Sequence, residues 1–251
     1  MSGNGHFLAR VSGEVKGNVT LRKQQYRISD NTEQSIKLAR NFITGKVYNC
    51  RWVLERAVRD YSLRIDTDSI KKKSKILYQS LEKIRTCKTS AQLLGLEGEA
   101  AAVYFSVFDE LILQQKEDFT FQGRNRRPPL DNVNAMLSFA YSLLTGMCGS
   151  ALESVGLDAY VGFFHTDRPG RISLALDIME ELRSIMADRF VLTMINKRII
   201  KKSHFIQKES GAVVLTDEGR KLFLSAWQER KKELITHPFL DEKIELSLIH
   251  I

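Results

Sequence analysis

From Asp30 to Tyr61 apolar side chains recur at Ile36, Ala39, Ile43, Val47, Cys50, Leu54 and Ala57, in steps of three and four. That spacing lays a stripe along one face of a single long α-helix; a strand would need an apolar residue at every second position. Ser29, Asp30 and Asn31 are cap residue types, and Thr32-Glu33 follow them. Gly45 is a weak point inside this helix. So long an amphipathic helix buries its stripe only against other helices, and the chain supplies them. A second pattern runs from about Asp68 to Arg85 with Ile70, Leu77, Leu81 and Ile84 on its buried face, and a third from Thr89-Ser90 to about Leu113. A fourth begins at Asp131-Asn132 and runs to about Val155, with Gly156 as its stop. A fifth starts at Ile172 or Ser173 and extends to about Ala187, where Asp188 opens a short helix through Ile195. Thr216-Asp217-Glu218 caps the last, which carries Leu222, Trp227 and the basic run Arg230-Lys231-Lys232.

Two places read as strands. Over residues 5–28, Val15, Val19 and Leu21 alternate, with turns at Gly13 and Gly17-Asn18. Over 204–215, Phe205, Ile206, Val213 and Val214 flank a Ser210-Gly211 turn, the pattern of a hairpin. The fold class expected is mainly α: a short β segment at 1–28, a helical domain at 29–251, and a small hairpin near 204–215.

With 43% hydrophobic residues in 251, the chain can bury a sizeable core. No uninterrupted apolar run reaches the ~20 residues of a membrane span, so no membrane association is expected. Phe7-Leu8-Ala9 is too short for a signal peptide and is broken by Arg10. Cys50, Cys87 and Cys148 are far apart, odd in number and set among apolar residues. They read as buried thiols of a protein in a reducing cytoplasm rather than a disulfide framework or zinc knuckle. A net charge of +8 suggests a polyanionic partner, since neutralised phosphates release counterions.

Three acids and a histidine stand out. Glu97 lies in Gly95-Leu96-Glu97-Gly98, with Leu93, Leu94, Ala100 and Ala101 one turn away. A carboxylate on such a stripe loses hydration and needs a cation, a donor or a metal; the bland alternative is pairing with an Arg. Asp177 and Glu180 are three apart and share a helix face, with Ile178, Leu182 and Ile185 assigned to the opposite, buried side. Arg183, three residues on, is the bland partner for Glu180. His165 follows the apolar approach Tyr160–Phe164 and precedes the acid-bearing helix; the other four histidines read as ordinary. A Glu, His, Glu set without a thiolate suits Mn²⁺ or Mg²⁺ better than structural zinc.

At these residues the sequence resembles a known family, the universal CRISPR-associated endonuclease, also called the CRISPR adaptation integrase. The match is carried by Gly17-Asn18-Val19-Thr20-Leu21-Arg22 with Gln25-Tyr26, by Leu94-Gly95-Leu96-Glu97-Gly98 leading to Tyr104-Phe105, and by Arg126-Arg127-Pro128-Pro129 with Asp131-Asn132-Val133-Asn134-Ala135. It continues through Gly162-Phe163-Phe164-His165, Arg168-Pro169-Gly170 and Leu176-Asp177-Ile178-Met179-Glu180-Glu181, and His237-Pro238-Phe239 also fits. The nearest flavour is that of type I-C systems. The resemblance implies that Glu97, His165 and Glu180 bind a divalent metal, Mn²⁺ or Mg²⁺, and are catalytic, with Asp177 a supporting acid. It implies a nuclease that inserts short double-stranded DNA with 3′ overhangs into CRISPR repeat DNA, the incoming 3′ hydroxyl attacking a repeat phosphodiester. The partners implied are a second copy of the chain and the small second CRISPR adaptation protein. Family members carry a longer N-terminal β domain and a longer tail, so the chain is expected to be clipped at both ends.

Arg124, Arg126, Arg127, Lys197, Arg198, Lys201 and Lys202 are expected DNA contacts, against the alternative of solvated charge. Two other readings stand beside the enzyme: a DNA-binding scaffold of the adaptation complex without chemistry, and a helical protein binding an acidic partner.

Overall fold

A computed structural model describes residues 19–236 and 243–245. The long helix is present as α2 (Thr32–Tyr61), about 45 Å of continuous backbone. Its stripe from Ile36 to Ala57 is buried throughout. The Asn31 side chain caps it, accepting from Gln34 N at 3.0 Å. Such a cap contributes about 1 kcal/mol. α2 is the central strut, packed by α3 (Thr67–Thr86), α4 (Ser90–Phe105) and α6 (Ser173–Leu182). Thr89 caps α4, and Asp131 caps α5 (Asn132–Ser154) by accepting from Asn134 N at 2.7 Å. α2 runs unbroken through Gly45, which lets α6 come close, since a Cβ there would meet Glu181 Cγ at 2.8 Å.

α5 packs against α6 and α7 (Arg189–Asn196) with Val133, Met136, Leu137, Ala140, Leu144, Cys148 and Leu152 buried. By length and apolarity alone α5 also meets the measure of a membrane-crossing helix, although polar residues interrupt its apolar run. In this fold it is a core helix. β1 (Phe205–Gln207) and β2 (Val213–Leu215) form the expected hairpin, Phe205 opposite Leu215. α8 (Asp217–Lys231), capped by Thr216, follows it and buries Phe223 and Trp227. A second pair, β3 (Leu234–Thr236) with β4 (Lys243–Glu245), was not expected. All three cysteines are free and buried.

Four expectations need correction. Residues 19–28 are not strand: Val19–Asp30 is a helix, α1. Residues 1–18, with Val15 and both expected turns, lie outside the described residues. The alternation misled because α1 exposes its apolar residues, Val19 at 62% and Leu21 at 39%, and buries a polar one. Gln25 Nε2 donates to Asp158 O at 2.7 Å and Val161 O at 2.9 Å, while its Oε1 accepts from Asp158 N at 2.9 Å. The third helix stops at Phe105 instead of Leu113, yielding to a 3₁₀ turn, Phe108–Leu111, inside a cluster of Tyr104, Phe105, Phe108 and Phe121. The fifth helix stops at Leu182 and yields to a π-helical turn, Arg183–Asp188; the short helix expected from Asp188 is present as α7, although the Asp188 side chain makes no cap hydrogen bond. Finally, the face of α6 that carries Asp177 and Glu180 is itself the buried one, whereas Ile178, Leu182 and Ile185 are only partly buried. The acids go inside because each has partners there.

Candidate active site

The loop at 162–165 closes onto the start of α6 so tightly that it needs glycine at 162, where a Cβ would lie 2.8 Å from Ser173 Cβ and 2.9 Å from His165 O. α1 buttresses this loop through Gln25. Asp177, wholly buried, organises it. Its Oδ2 accepts from Phe163 N at 2.6 Å and Phe164 N at 2.9 Å, and its Oδ1 from His165 N at 2.9 Å. Oδ1 is also 2.7 Å from His165 Nδ1. That contact places a proton on Nδ1 and turns Nε2 away from Asp177 toward Glu180, the orientation in which a carboxylate sets an imidazole as a ligand.

His165 Nε2 lies 3.9 Å from Glu180 Oε1. Glu180 receives Arg183 Nη2 on Oε1 at 2.5 Å and Lys46 Nζ near Oε2 at 2.6 Å. Burial raises the Glu180 pKa, but Arg183 and Lys46 outweigh it and hold the carboxyl at about 2, so it is ionised. Lys46, itself buried, also pairs with Glu97 Oε1. One ammonium from α2 thus bridges Glu97 of α4 and Glu180 of α6, with His165 beside them.

The sequence-derived set therefore converges, yet among the described residues no three His, Cys, Asp or Glu side chains are arranged to hold a metal as the chain stands. Lys46 occupies the place between Glu97 and Glu180 that a cation would take. Two of the three donors nonetheless have the spacing of ligands on a divalent ion. The 3.9 Å between His165 Nε2 and Glu180 Oε1 is within the roughly 4 Å that two ligands span across an ion at ~2.1 Å from each. Glu180 Oε2 is buried with no hydrogen-bond partner, because the Lys46 contact has the distance of an ion pair without hydrogen-bond alignment.

Arg124 and Arg126 share a cleft of about 410 Å³ with Glu97, Tyr141 and Arg183. Arg124 donates to Asn134 Oδ1 at 2.6 Å and Ser138 Oγ at 3.0 Å. Burial lowers its pKa. Arg127 is exposed. The second basic segment is not brought to this cleft. Lys197 lines a separate one with Arg56, Arg189 and Arg230, Arg198 donates to Gln114 Oε1 at 2.8 Å, Lys202 pairs with Asp118 at 3.1 Å, and Lys201 is exposed.

Sequence reasoning missed Lys46, Tyr141 and Asp188. Lys46 left a trace: it sits three residues from Ile43 on the apolar stripe, where a cation has no place unless it is paired.

Solved structures share this fold. A casposase bound to its integration product matches with a TM-score of 0.77 and 27% identity, over 92% of this chain and 65% of that one. A Cas1 protein from Thermotoga maritima matches with 0.75 and 29%, over 88% and 66%. Among curated relatives, a CRISPR-associated endonuclease Cas1 of Rhodospirillum rubrum is 51% identical over 249 residues, 98% of this chain and 72% of the relative. The class so defined is that of CRISPR-associated proteins built on this helical fold. The model of the family described as CRISPR associated protein Cas1 matches residues 1–229, and the chain belongs to that family.

Proposed function

We propose that this chain cuts and joins DNA in CRISPR adaptation, with a divalent cation held by Glu97, His165 and Glu180. The observation that carries the reading is the meeting of two carboxylates and an imidazole, from α4, α6 and the loop before α6, around one cation position. Relatives named CRISPR-associated endonuclease support cleavage, and the likeness to a casposase bound to its integration product supports joining.

When bound there, Mn²⁺ or Mg²⁺ would polarise a phosphodiester and lower the pKa of an attacking hydroxyl. The chain's own residues do the rest. Asp177 keeps the His165 proton on Nδ1, so Nε2 presents a lone pair. Arg183 and Arg124 offer guanidinium forks to phosphate oxygens in the cleft beside Glu97. In joining, the 3′ oxygen of incoming DNA bonds to a repeat phosphorus as that phosphorus releases the repeat's own 3′ oxygen. The substrates proposed are double-stranded DNA with 3′ overhangs and CRISPR repeat DNA. The partners proposed are a second copy of the chain and the small second adaptation protein.

The test is Mn²⁺-dependent cleavage and strand joining by Glu97→Ala and His165→Ala. Each should lose more than the roughly 10–100-fold that changing a residue behind a ligand costs. Unchanged activity in both would reject the site and favour the scaffold reading, which Lys46 lodged between the acids keeps in contention.

A further inference from the structure

The π-helical turn Arg183–Asp188 carries two charged residues five apart. In an α-helix, side chains five apart point about 140° away from each other. Here the backbone bonds from Arg189 N to Ser184 O, an i→i+5 step that brings such residues back toward one side. Both meet Tyr141 of α5. Its hydroxyl donates to Asp188 Oδ1 at 2.6 Å, and the Arg183 guanidinium lies 4.8 Å from its ring centroid. Arg124 lies 5.2 Å from the same ring. One phenol, pinned by a buried carboxylate, thus supports both guanidiniums that line the cleft at Glu97.

This arrangement is costly as structure. A π turn is rarer than an α turn, and a carboxylate with 1% exposure gives up its hydration. An apolar pair would fill the same space without burying a carboxylate. Both costs fall at the residues behind the two arginines.

We infer that Tyr141 and Asp188 are positioning residues that aim Arg183 and Arg124 at the phosphate undergoing reaction. The inference rests on the DNA-cleaving reading above. Asp188 lies behind the cleft wall and Tyr141 forms part of it; each acts through the guanidiniums.

The test uses the full chain with Mn²⁺ and a short DNA duplex. Tyr141→Phe removes one hydroxyl and keeps the ring. Its cleavage rate at saturating DNA should fall about tenfold or more while the DNA concentration for half-maximal rate moves little, the split expected when reacting groups are misaimed. Asp188→Leu should repeat the loss. Asp188→Asn, which still offers the phenol an oxygen, should recover most of it. In parallel, the Arg124 and Arg183 Nε–H resonances of wild type and Tyr141→Phe are compared by NMR without DNA, and should shift. Wild-type cleavage by Tyr141→Phe, or unmoved resonances, overturns the inference. Resonances that shift in a chain whose wild type cuts nothing support the positioning and overturn the nuclease reading instead.

Discussion

Replacing Lys46 with Met should exchange an internal cation for a dependence on an external one. The ammonium is the shared counterion of Glu97 and Glu180, and both it and Glu180 are nearly inaccessible, at 5% and 4%. Removing one partner of a buried ion pair costs about 3–5 kcal/mol, because it strands the other charge. Glu180 keeps Arg183 at 2.5 Å, and Glu97 is 18% exposed, so the lower end applies, about 3 kcal/mol. For a chain of this size that lowers the melting temperature by roughly 6–12 °C. In return the two carboxylates and His165 Nε2 are left open to a divalent ion. Binding to the folded state alone at a hundred times its dissociation constant returns about 2.7 kcal/mol, nearly the whole loss. The assay is thermal denaturation of both proteins with and without MnCl₂. The variant should melt well below wild type in chelator and close to it in Mn²⁺. If Mn²⁺ shifts both proteins equally, Lys46 does not hold the place of the ion and the reasoning fails.

Three further outcomes follow from the same contacts. Asp177→Asn weakens the grip on His165 Nδ1 and should reduce Mn²⁺ affinity about 10–100-fold by calorimetry. The Asp188 carboxyl is held at about 6, against 3.8 ordinarily, by burial that outweighs the Tyr141 hydrogen bond and Arg183. The folded state therefore binds this proton more tightly than the unfolded one. The associated stability, on the order of 2–3 kcal/mol, is fully present below about pH 4 and is lost as pH rises through 6. Denaturant midpoints from pH 4 to 7 should show that fall in wild type and a flatter profile in Asp188→Asn. Neutralising Arg126, which lines the cleft, should flatten the salt dependence of DNA binding, and neutralising Lys201 should not; equal slopes would remove the cleft as the DNA path.

Helices with a continuous apolar stripe were legible in the sequence. The span and buried face of α2 follow from Ile36 to Ala57, and the Asn31, Asp131 and Thr216 caps mark their starts. α1 was misread because Gln25, its buried residue, serves backbone acceptors 133 and 136 residues away, which no local pattern encodes. The π turn was hidden for a related reason: its charged residues Arg183 and Asp188 find their partners, Glu180 and Tyr141, outside the segment. Glu97, His165 and Glu180 stood out as residues, but only the family resemblance made them ligands; spacing alone left each acid with a bland partner and His165 as an ordinary histidine. One of those partners is present, Arg183 on Glu180, while Glu97 pairs with Lys46 instead of an Arg.

The most direct test of the central claim is Mn²⁺ binding by electron paramagnetic resonance, titrated into wild type, Glu97→Ala and His165→Ala. One ion per wild-type chain, bound more weakly than by Lys46→Met because it must displace the Lys46 ammonium, and lost or greatly weakened further in both variants, is the result expected if the three side chains share a cation. An unchanged stoichiometry and affinity in either variant would mean that the ion is held elsewhere.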